Sequence, residues 1–291
     1  MRDLRLRLQE AWRQPGLQSY VVERDYLLSW VLAGISAVPE LRETLVFKGG
    51  TALKKCYFGD YRFSEDLDFS GLEGVPAGDD LAEAIVRACA EASALLVEYA
   101  QVEMHCERYA ENNPHPGGQE AFRIRARLPW HPQPDIPIKV EITADEQIAW
   151  PVERRMVIHD YGEPLEAELQ VYSPTEMVAE KLRATRQQLV RLESRGWMRN
   201  RARDYYDLWR VLGDYWGLLD LIDFRARLHD KCRLRNVDFE GTEDFFDPRI
   251  VDDVEKGWEN ALGPLLVDLP VFTTVIDELR PRVATLLNSE G

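Results

Sequence analysis

Two acidic residues separated by a single leucine, Asp66 and Asp68, carry the strongest chemical signal in the sequence. In a β-strand, residues i and i+2 face the same way, so the two carboxylates are predicted to project side by side. Adjacent carboxylates repel each other unless a positive charge lies between them. A hard divalent ion supplies that charge, and Mg²⁺ favours a few carboxylates together with substrate phosphates. The pattern therefore predicts a magnesium site, which Mn²⁺ could also occupy.

A glycine pair upstream of the acids predicts a phosphate site. Gly49, Gly50 and Thr51 follow the apolar strand Leu45-Val46-Phe47 and open a short helix expected over Thr51–Tyr57. The free N–H groups and the dipole at a helix start attract anions, and glycine lets a phosphate approach the backbone. Either motif alone is usually a turn or an exposed acidic pair. Together, in this order and this close, they predict a site for a nucleoside triphosphate (NTP).

A third acidic residue, Glu141, lies in a strand predicted over 136–143, where it shares one face with Lys139 and Thr143. That face could line the same cleft as Asp66 and Asp68. A third carboxylate would complete a two-metal clamp for in-line displacement at phosphorus. The alternative is a cross-strand ion pair on the surface, and the residues leave both open.

The elements that position these residues divide the chain into two predicted parts. Residues 1–165 predict an α/β lobe with N-terminal helices, and residues 166–291 a helical lobe. The first part has an apolar helix over 18–37 and an alanine-rich helix over 79–97 that Asp79 or Asp80 could cap. Further strands are expected at 101–107, 121–128 and 169–172. The predicted class is therefore α+β, with a mixed sheet and a C-terminal helical lobe.

The helical part opens at Ser173-Pro174-Thr175-Glu176, which has the form of a capping box with proline at the first helical position. Helices are expected over 174–192, 200–213, 217–230, 251–261 and 270–287.

The net charge of −15 excludes a generic nucleic-acid coat protein, because phosphate repels so acidic a chain. The charge is uneven, however: Lys181 to Arg210 contains nine basic and three acidic residues. This stretch is either a solvated helical surface with internal ion pairs or a positive strip beside an anionic substrate.

The sequence shows no sign of export or of a membrane span. Its longest apolar run, near residues 27–38, is shorter than the ~20 residues that cross a bilayer. The N-terminus has no apolar signal region, and four widely spaced cysteines suit a reducing compartment. We therefore expect a cytoplasmic protein without a membrane partner.

The block G-G-T followed by R-x-S-x-D-x-D-F, ending at Phe69, resembles the AbiEii/AbiGii toxin family. This family is a branch of the DNA polymerase β-like nucleotidyltransferase superfamily. Over roughly residues 20–212, further stretches are similar to family motifs: Glu23-Arg24-Asp25-Tyr26, Lys55, Glu180-Lys181-Leu182 and Arg203-Asp204-Tyr205-Tyr206-Asp207-Leu208. The last ~80 residues carry no motif of this kind.

This resemblance implies a polymerase β-like core and the toxin half of a type IV toxin–antitoxin system. The implied partner is an AbiEi-like antitoxin encoded nearby. The implied reaction moves an NMP from an NTP to an acceptor, which in some relatives is the 3′ end of tRNA. The implied catalytic residues are Asp66, Asp68, Lys181 and Asp204. The residues implied to bind the NTP are Gly49, Gly50, Thr51, Lys55, Arg62 and Ser64. The implied metal ligands are Asp66, Asp68 and Glu141.

Helical geometry predicts where Lys181 and Asp204 lie on their helices. Lys181 falls at the edge of an apolar stripe, where its stem can lie on the core while its ammonium enters a cleft. Asp204 borders the buried stripe of the next helix, as a base or as a group that orients the lysine. The alternatives are an ordinary surface lysine and a contact at the helix start. Asp207 is predicted to point away, pairing on the surface with Arg203 or Arg210.

Three other functions compete with nucleotidyl transfer. The same site could transfer a phosphate to RNA or protein, or the fold could bind RNA or a partner without catalysis. A metal-dependent nuclease also uses paired carboxylates, although it would leave the glycine-rich phosphate cradle without a role.

Overall fold

The computed structural model describes residues 3–12, 17–109, 118–133, 136–144 and 146–289. The chain forms two compact units, one of residues 1–146 and 152–172 and the other of residues 147–151 and 173–291. The division therefore falls at the helix start beside Ser173, and a short upstream segment belongs to the second unit.

A mixed seven-stranded sheet organises the first unit. Its strands are β1 (Leu45–Lys48), β2 (Asp66–Gly71), β3 (Glu103–Tyr109), β4 (Gln119–Arg127), β5 (Ile136–Thr143), β6 (Glu153–Met156) and β7 (Glu168–Val171). Their order is β3-β4-β5-β2-β1-β7-β6. The central strand β2 runs antiparallel to β1 and parallel to β5. The predicted α+β class with a mixed sheet is confirmed.

The two faces of the sheet differ because successive strand residues point to opposite sides. Phe122, Ile124 and Val140 are fully buried on one face, while Arg123 and Lys139, which alternate with them, are partly exposed on the other. The helices α2 (Ser19–Ala37) and α5 (Gly78–Leu96) pack on each other and contact β5 and β3, respectively. The apolar face anchors the sheet, and the opposite face carries the polar residues.

The helix that follows β1 begins at the glycine pair. The short helix α4 (Gly49–Ala52) continues directly into a π-helical turn over Leu53–Tyr57, so the predicted helix starts two residues earlier than expected. The predicted capping of α5 by Asp79 or Asp80 is wrong. Ala77 occupies the cap position, and both aspartates lie in the first turn, where they favour the helix dipole. Two short helices, α1 (Leu4–Ala11) and α3 (Pro39–Thr44), were not expected from the sequence.

A buried ion pair ties the π-helical turn to α2. Lys55 Nζ lies 2.6 Å from Asp25 Oδ2, and both side chains are almost completely buried. Tyr161 donates a second hydrogen bond to the same oxygen of Asp25, at 2.7 Å. Burial alone would raise the pKa of Asp25, but the positive charges of Lys55 and Lys54 hold it below its usual range.

Helices make up the second unit: α6 (Pro174–Arg195), α7 (Ala202–Asp214), α8 (Phe224–Arg233), α9 (Pro248–Leu262) and α10 (Phe272–Asn288). Each lies within a few residues of its predicted range. The exception is α8, which begins at Phe224 because residues 216–218 form a separate 3₁₀ turn. Within the part of the chain that the structure describes, no helix has the length and apolar character to cross a bilayer.

The start of α6 forms only one half of the predicted capping box. Ser173 Oγ accepts a hydrogen bond from Glu176 N, and Pro174 is the first helical residue. The Glu176 carboxylate does not return to the cap, so this half of the prediction is wrong. It accepts hydrogen bonds from the backbone N–H groups of Ala149 and Trp150, at 2.8 and 2.9 Å, and pairs with Lys231. The buried carboxylate thus holds the upstream segment 147–151 to α6 and α8.

We expect Lys55→Met to destabilise the protein by about 3–5 kcal/mol, because it leaves the carboxylate of Asp25 buried without its cation. Urea-induced unfolding would measure the change. Arg87→Met is the matched control: the pair Arg87–Glu40 has half-exposed side chains, and its loss should leave the unfolding midpoint unchanged. Equal effects of the two substitutions would show that the buried pair contributes nothing special.

Candidate active site

The two predicted metal carboxylates lie on the polar face of the central strand. Asp66 is the first residue of β2 and Asp68 the third, so both side chains leave the same face. Asp66 is in register with Lys139 of β5, and Asp68 with Glu141 of β5 and Lys48 of β1. The structure therefore brings three carboxylates and two lysines onto neighbouring positions of one face.

The charge at this point of the sheet is concentrated around Asp68. Burial, together with the negative charges of Glu141 and Asp66, raises the pKa of Asp68 to about 7. The lysines Lys48 and Lys139 act in the opposite direction but do not cancel the effect. The carboxylate is thus held where its own negative charge is disfavoured, which is the electrostatic setting that a bound cation relieves.

Glu141 is engaged with its neighbours on the sheet. Its Oε1 atom accepts a hydrogen bond from Gln119 Nε2 and lies 3.1 Å from Lys139 Nζ. Over the described ranges, the structure holds no group of three or more acidic, histidine or cysteine side chains placed to bind a metal ion. Glu141 therefore lies beside the carboxylate pair and is held by an ion pair with Lys139.

The glycine pair lies directly against these carboxylates. Gly49 has a φ of +81°, in the left-handed region, and a Cβ there would lie 2.7 Å from Asp68 Oδ2. A Cβ on Gly50 would meet the guanidinium of Arg62. Thr51 Oγ1 donates a hydrogen bond to the backbone carbonyl of Asp66, which fixes the helix start to β2. Glycine is favoured at Gly49, because other residues rarely adopt its backbone conformation and a Cβ would have to push the carboxylate of Asp68 aside.

The remaining residues predicted to bind NTP are buried in the first unit. Arg62 is 4% exposed; it lies against Gly50 and donates to the backbone carbonyl of Phe63 at 3.1 Å. Ser64 is also buried, two residues before β2. Lys55 is 2% exposed, and its ammonium pairs with Asp25. In this position Lys55 holds the π-helical turn against α2, because its ammonium is buried in an ion pair with Asp25.

In the second unit, one lysine lies between two aspartates. Lys181 Nζ lies 2.8 Å from Asp204 Oδ1 and 2.6 Å from Asp207 Oδ2. Asp207 is completely buried, so the prediction that it points away as a surface partner is wrong. Its position one turn from Asp204 on α7 brings both carboxylates to the facing helix α6.

Asp204 also pairs with a second cation. Arg201 Nη1 lies 3.0 Å from Asp204 Oδ2. Burial would raise the pKa of Asp204, but Lys181 and Arg201 hold it well below its usual range. A carboxylate with so low a pKa accepts protons poorly. Of its two predicted roles, the orientation of Lys181 fits this geometry better.

Sequence reasoning missed several residues on the polar face. Lys48 is the register partner of Asp68, but it ends a short strand whose neighbours are apolar, so it was not singled out. Arg24, Tyr109 and Arg123 line a cleft together with Asp66. The alternation of arginines on β4 was the available signal for Arg123. Arg24 lies in the family-like stretch Glu23-Arg24-Asp25-Tyr26 but was given no role, and nothing local marked Tyr109.

The donor chemistry of the site fits a hard divalent cation. Two carboxylates on one strand supply oxygen ligands, and burial together with the charges of Glu141 and Asp66 raises the pKa of Asp68. No histidine or cysteine lies on β2, so the site offers no soft ligand.

A carboxylate pair on the central strand of a mixed sheet, beside a glycine-opened helix and followed by a helical unit, defines a nucleotidyltransferase fold. The solved structure of MenT4, a nucleotidyltransferase toxin from Mycobacterium tuberculosis, shares this fold with a TM-score of 0.63. The match covers 99% of this chain and 90% of that chain at 23% identity.

The family model described as "Nucleotidyl transferase AbiEii toxin, Type IV TA system" matches residues 30–288. The chain therefore belongs to the AbiEii family of nucleotidyltransferase toxins. A comparison with curated proteins gave no match. The family resemblance predicted from the motifs is confirmed, and the match extends over the C-terminal helices that carried no recognisable motif.

We expect Gly49→Ala to weaken Mn²⁺ binding by about tenfold or more, because the new Cβ displaces the carboxylate of Asp68. Titration of Mn²⁺ by electron paramagnetic resonance would measure the affinity. Gly74→Ala is the matched control: its φ of +85° is similar, and nothing lies within 4 Å of the added Cβ. Both variants should lose about 1 kcal/mol of stability from backbone strain, but Gly74→Ala should bind Mn²⁺ normally. Unchanged Mn²⁺ affinity in Gly49→Ala would contradict the assignment of the metal to Asp68.

Proposed function

We propose that this protein transfers a nucleoside monophosphate from an NTP to an RNA acceptor, the 3′ end of a tRNA, in a Mg²⁺-dependent reaction. The observation that carries the proposal is the contact between the glycine-opened helix and Asp68. That contact brings a phosphate-binding backbone to within reach of the metal carboxylates.

The proposed roles follow from the placement of each group. Asp66 and Asp68 would hold Mg²⁺, which when bound neutralises charge on the triphosphate. The backbone N–H groups at the start of α4 bind phosphate oxygens. The acceptor hydroxyl oxygen forms a bond to the α-phosphorus, the bond between the α- and β-phosphates breaks, and pyrophosphate leaves. The hydroxyl proton passes to a neighbouring basic side chain or to water, and Glu141 is proposed to orient the hydroxyl.

Lys181 keeps, as a proposal, the catalytic role that the family motif implies for it. Its two carboxylate partners restrict the rotamers of a flexible side chain, so its ammonium is oriented before substrate binds. Asp204 and Asp207 are then positioning residues. The low pKa of Asp204 keeps it charged over the working range of pH.

An arginine cluster in the second unit supports an RNA acceptor. Arg191 and Arg195 lie one turn apart near the end of α6. The returning loop places Arg199 beside them, with its backbone N–H bonded to Gln188 Oε1 at 2.9 Å. Burial and the charges of Arg201, Arg199 and Arg195 lower the pKa of Arg191 to about 10.

This cluster lacks carboxylate partners, in contrast to most arginines of the chain. Among the residues that the structure describes, no carboxylate lies within ion-pair distance of Arg191, Arg195 or Arg199. Like charges one turn apart destabilise a helix. A phosphate backbone would relieve that repulsion, so for these three arginines we favour a strip for an anionic substrate. Other basic residues of the stretch (Arg183, Arg201 and Arg210) make ion pairs within their helices, as a solvated helical surface would.

Membership of the toxin family implies an antitoxin partner. We propose that an AbiEi-like protein encoded nearby counteracts this chain, and that transfer to RNA takes place in the cytoplasm and is toxic there.

We expect Asp66→Asn and Asp68→Asn each to reduce transfer by at least about a hundredfold, because each removes a charged metal ligand. The assay incubates the protein with total cellular RNA, Mg²⁺ and each NTP labelled at the α- or the γ-phosphate. Label from the α position should enter RNA of tRNA size, and chelation of the metal should stop the reaction.

The same assay separates the competing functions. Retention of γ-label alone would establish a phosphotransferase, and RNA shortened without NTP would establish a nuclease. If Asp68→Asn remained fully toxic in cells, the non-catalytic binding module would replace the enzyme. Asp79→Asn, on the exposed first turn of α5, is the matched control and should transfer normally.

We expect the triple variant Arg191→Gln, Arg195→Gln, Arg199→Gln to bind tRNA at least about tenfold more weakly at ~0.1 M salt. The slope of log affinity against log salt should also fall, by about one for each phosphate that the variant no longer binds. Lys256→Gln removes a strongly exposed cation of the same unit that is already ion-paired, so it should behave as the unaltered protein does. An unchanged salt slope in the triple variant would rule the cluster out as an RNA-binding surface.

A further inference from the structure

A small cleft opens on the polar face of the sheet beside Asp66. Its volume is about 220 Å³, and its walls come from α2, from the start of β2 and from β3 to β5: Arg24, Glu65, Asp66, Tyr109, Arg123, Pro137 and Lys139. We call it the lateral cleft. Its volume lies below the ~300 Å³ of the smallest drug-sized pockets, so it admits a single base or sugar but not a duplex.

The lateral cleft and the glycine-opened helix lie on opposite sides of β2. In the order of strands, β1 is on one side of β2 and β5 on the other. The helix α4 continues from β1, and Gly49 lies against Asp68 from that side. Lys139 and Arg123 belong to β5 and β4, on the far side. The carboxylate pair therefore separates a phosphate-binding backbone from the cleft.

This arrangement has a direct consequence for displacement at phosphorus. The entering and leaving oxygens lie roughly in line, on opposite sides of the phosphorus atom. If the triphosphate is held by the start of α4, pyrophosphate leaves on the β1 side. The entering hydroxyl must then approach from the β5 side, where the lateral cleft lies.

The walls of the cleft suit a nucleotide. Arg123 is in register with Lys139, and Lys139 with Asp66, so two cations and the carboxylate occupy adjacent positions across three strands. The guanidinium of Arg123 lies 4.2 Å from the ring centroid of Tyr109. A guanidinium stacked on an aromatic ring offers a flat surface for a base, and its N–H groups can bind phosphate. Among the described residues, the carboxylate within ion-pair distance of Arg123 is that of Glu107, at 3.8 Å.

We infer that the lateral cleft is the acceptor subsite, which receives the 3′-terminal nucleotide of a single-stranded RNA end. The terminal base stacks on Arg123 and Tyr109, and Arg123 and Lys139 contact its phosphate. The 3′ hydroxyl then faces Asp66 and the α-phosphorus. This inference rests on the proposed function, and it identifies a site for the acceptor that is separate from the site for the NTP.

The test compares the two substrates kinetically. Tyr109→Leu and Arg123→Gln are each assayed with an RNA oligonucleotide that has a single-stranded 3′ end, while either the RNA or the NTP is varied. Each variant should raise the KM for RNA by about tenfold and change the KM for NTP by less than about twofold. Arg123→Lys, which keeps the charge but not the flat surface, should raise the KM for RNA by an intermediate factor.

Arg125→Gln is the matched control. Arg125 lies two residues along β4 on the same face and also pairs with Glu107, at 3.4 Å, but it is not part of the cleft wall. Its KM for RNA should be unchanged. A raised KM for NTP in Tyr109→Leu or Arg123→Gln would overturn the inference and assign the cleft to the base of the NTP. Equal effects of Arg123→Gln and Arg125→Gln on RNA would also overturn it, since they would show only general attraction by charge.

A second measurement keeps this inference separate from the proposed function. The unaltered chain is irradiated with an oligonucleotide whose 3′-terminal base is 5-iodouridine, without NTP, and the crosslinked peptide is identified by mass spectrometry. We expect the adduct on Tyr109, and crosslinking only elsewhere would contradict the acceptor subsite. If the unaltered chain crosslinks at Tyr109 but never extends RNA, the transfer reaction fails while the RNA-binding subsite stands.

Discussion

The repulsion between carboxylates on neighbouring strand positions is the constraint on which the first unit depends. Asp66 and Asp68 leave one face of β2, and Glu141 stands opposite Asp68 on β5. This repulsion destabilises the strand, so it must be offset by apolar packing on the other face of the sheet and by nearby cations. The apolar face packed by α2 and α5 supplies the first condition, and Lys48 and Lys139 on the two flanking strands supply the second.

The helix start beside this charge is held by contacts within the first unit. Thr51 ties it to the backbone of β2, Arg62 packs behind Gly50, and the pair Lys55–Asp25 fixes the following turn to α2. In the second unit a charged side chain is likewise held by ion pairs, because two aspartates of the facing helix orient Lys181. In both units a flexible charged side chain has its geometry set before any ligand arrives, which is the condition for preorganised electrostatic stabilisation.

The sequence was most informative where a short period decides the geometry. The two-residue period of β2 placed Asp66 and Asp68 on one face, and helical periods located α6, α7, α9 and α10 within a few residues. Contacts between residues that are distant in the chain leave no periodic pattern in the sequence. Asp207 was expected at the surface because Arg203 and Arg210 are near in sequence, whereas its burial against Lys181 depends on how α6 packs on α7. Glu176 was likewise expected to cap its own helix, but its carboxylate accepts hydrogen bonds from the backbone N–H groups of residues 149 and 150. Strand β6 (Glu153–Met156) escaped notice because its mostly exposed, charged residues show no apolar alternation.

The segment 147–151 has a consequence for how the chain can be divided. It interrupts the first unit in sequence, yet its polar backbone atoms are bonded to the second: Glu176 accepts from Ala149 and Trp150, Arg227 donates to Ala149, and Lys231 donates to Gln147. Any chain cut after Tyr172 would carry this segment with those donors and acceptors unmatched and with the indole of Trp150 stripped of its neighbour Phe224. Removal of the helices after Tyr172 therefore exposes the backbone groups of this segment and the indole of Trp150 to solvent.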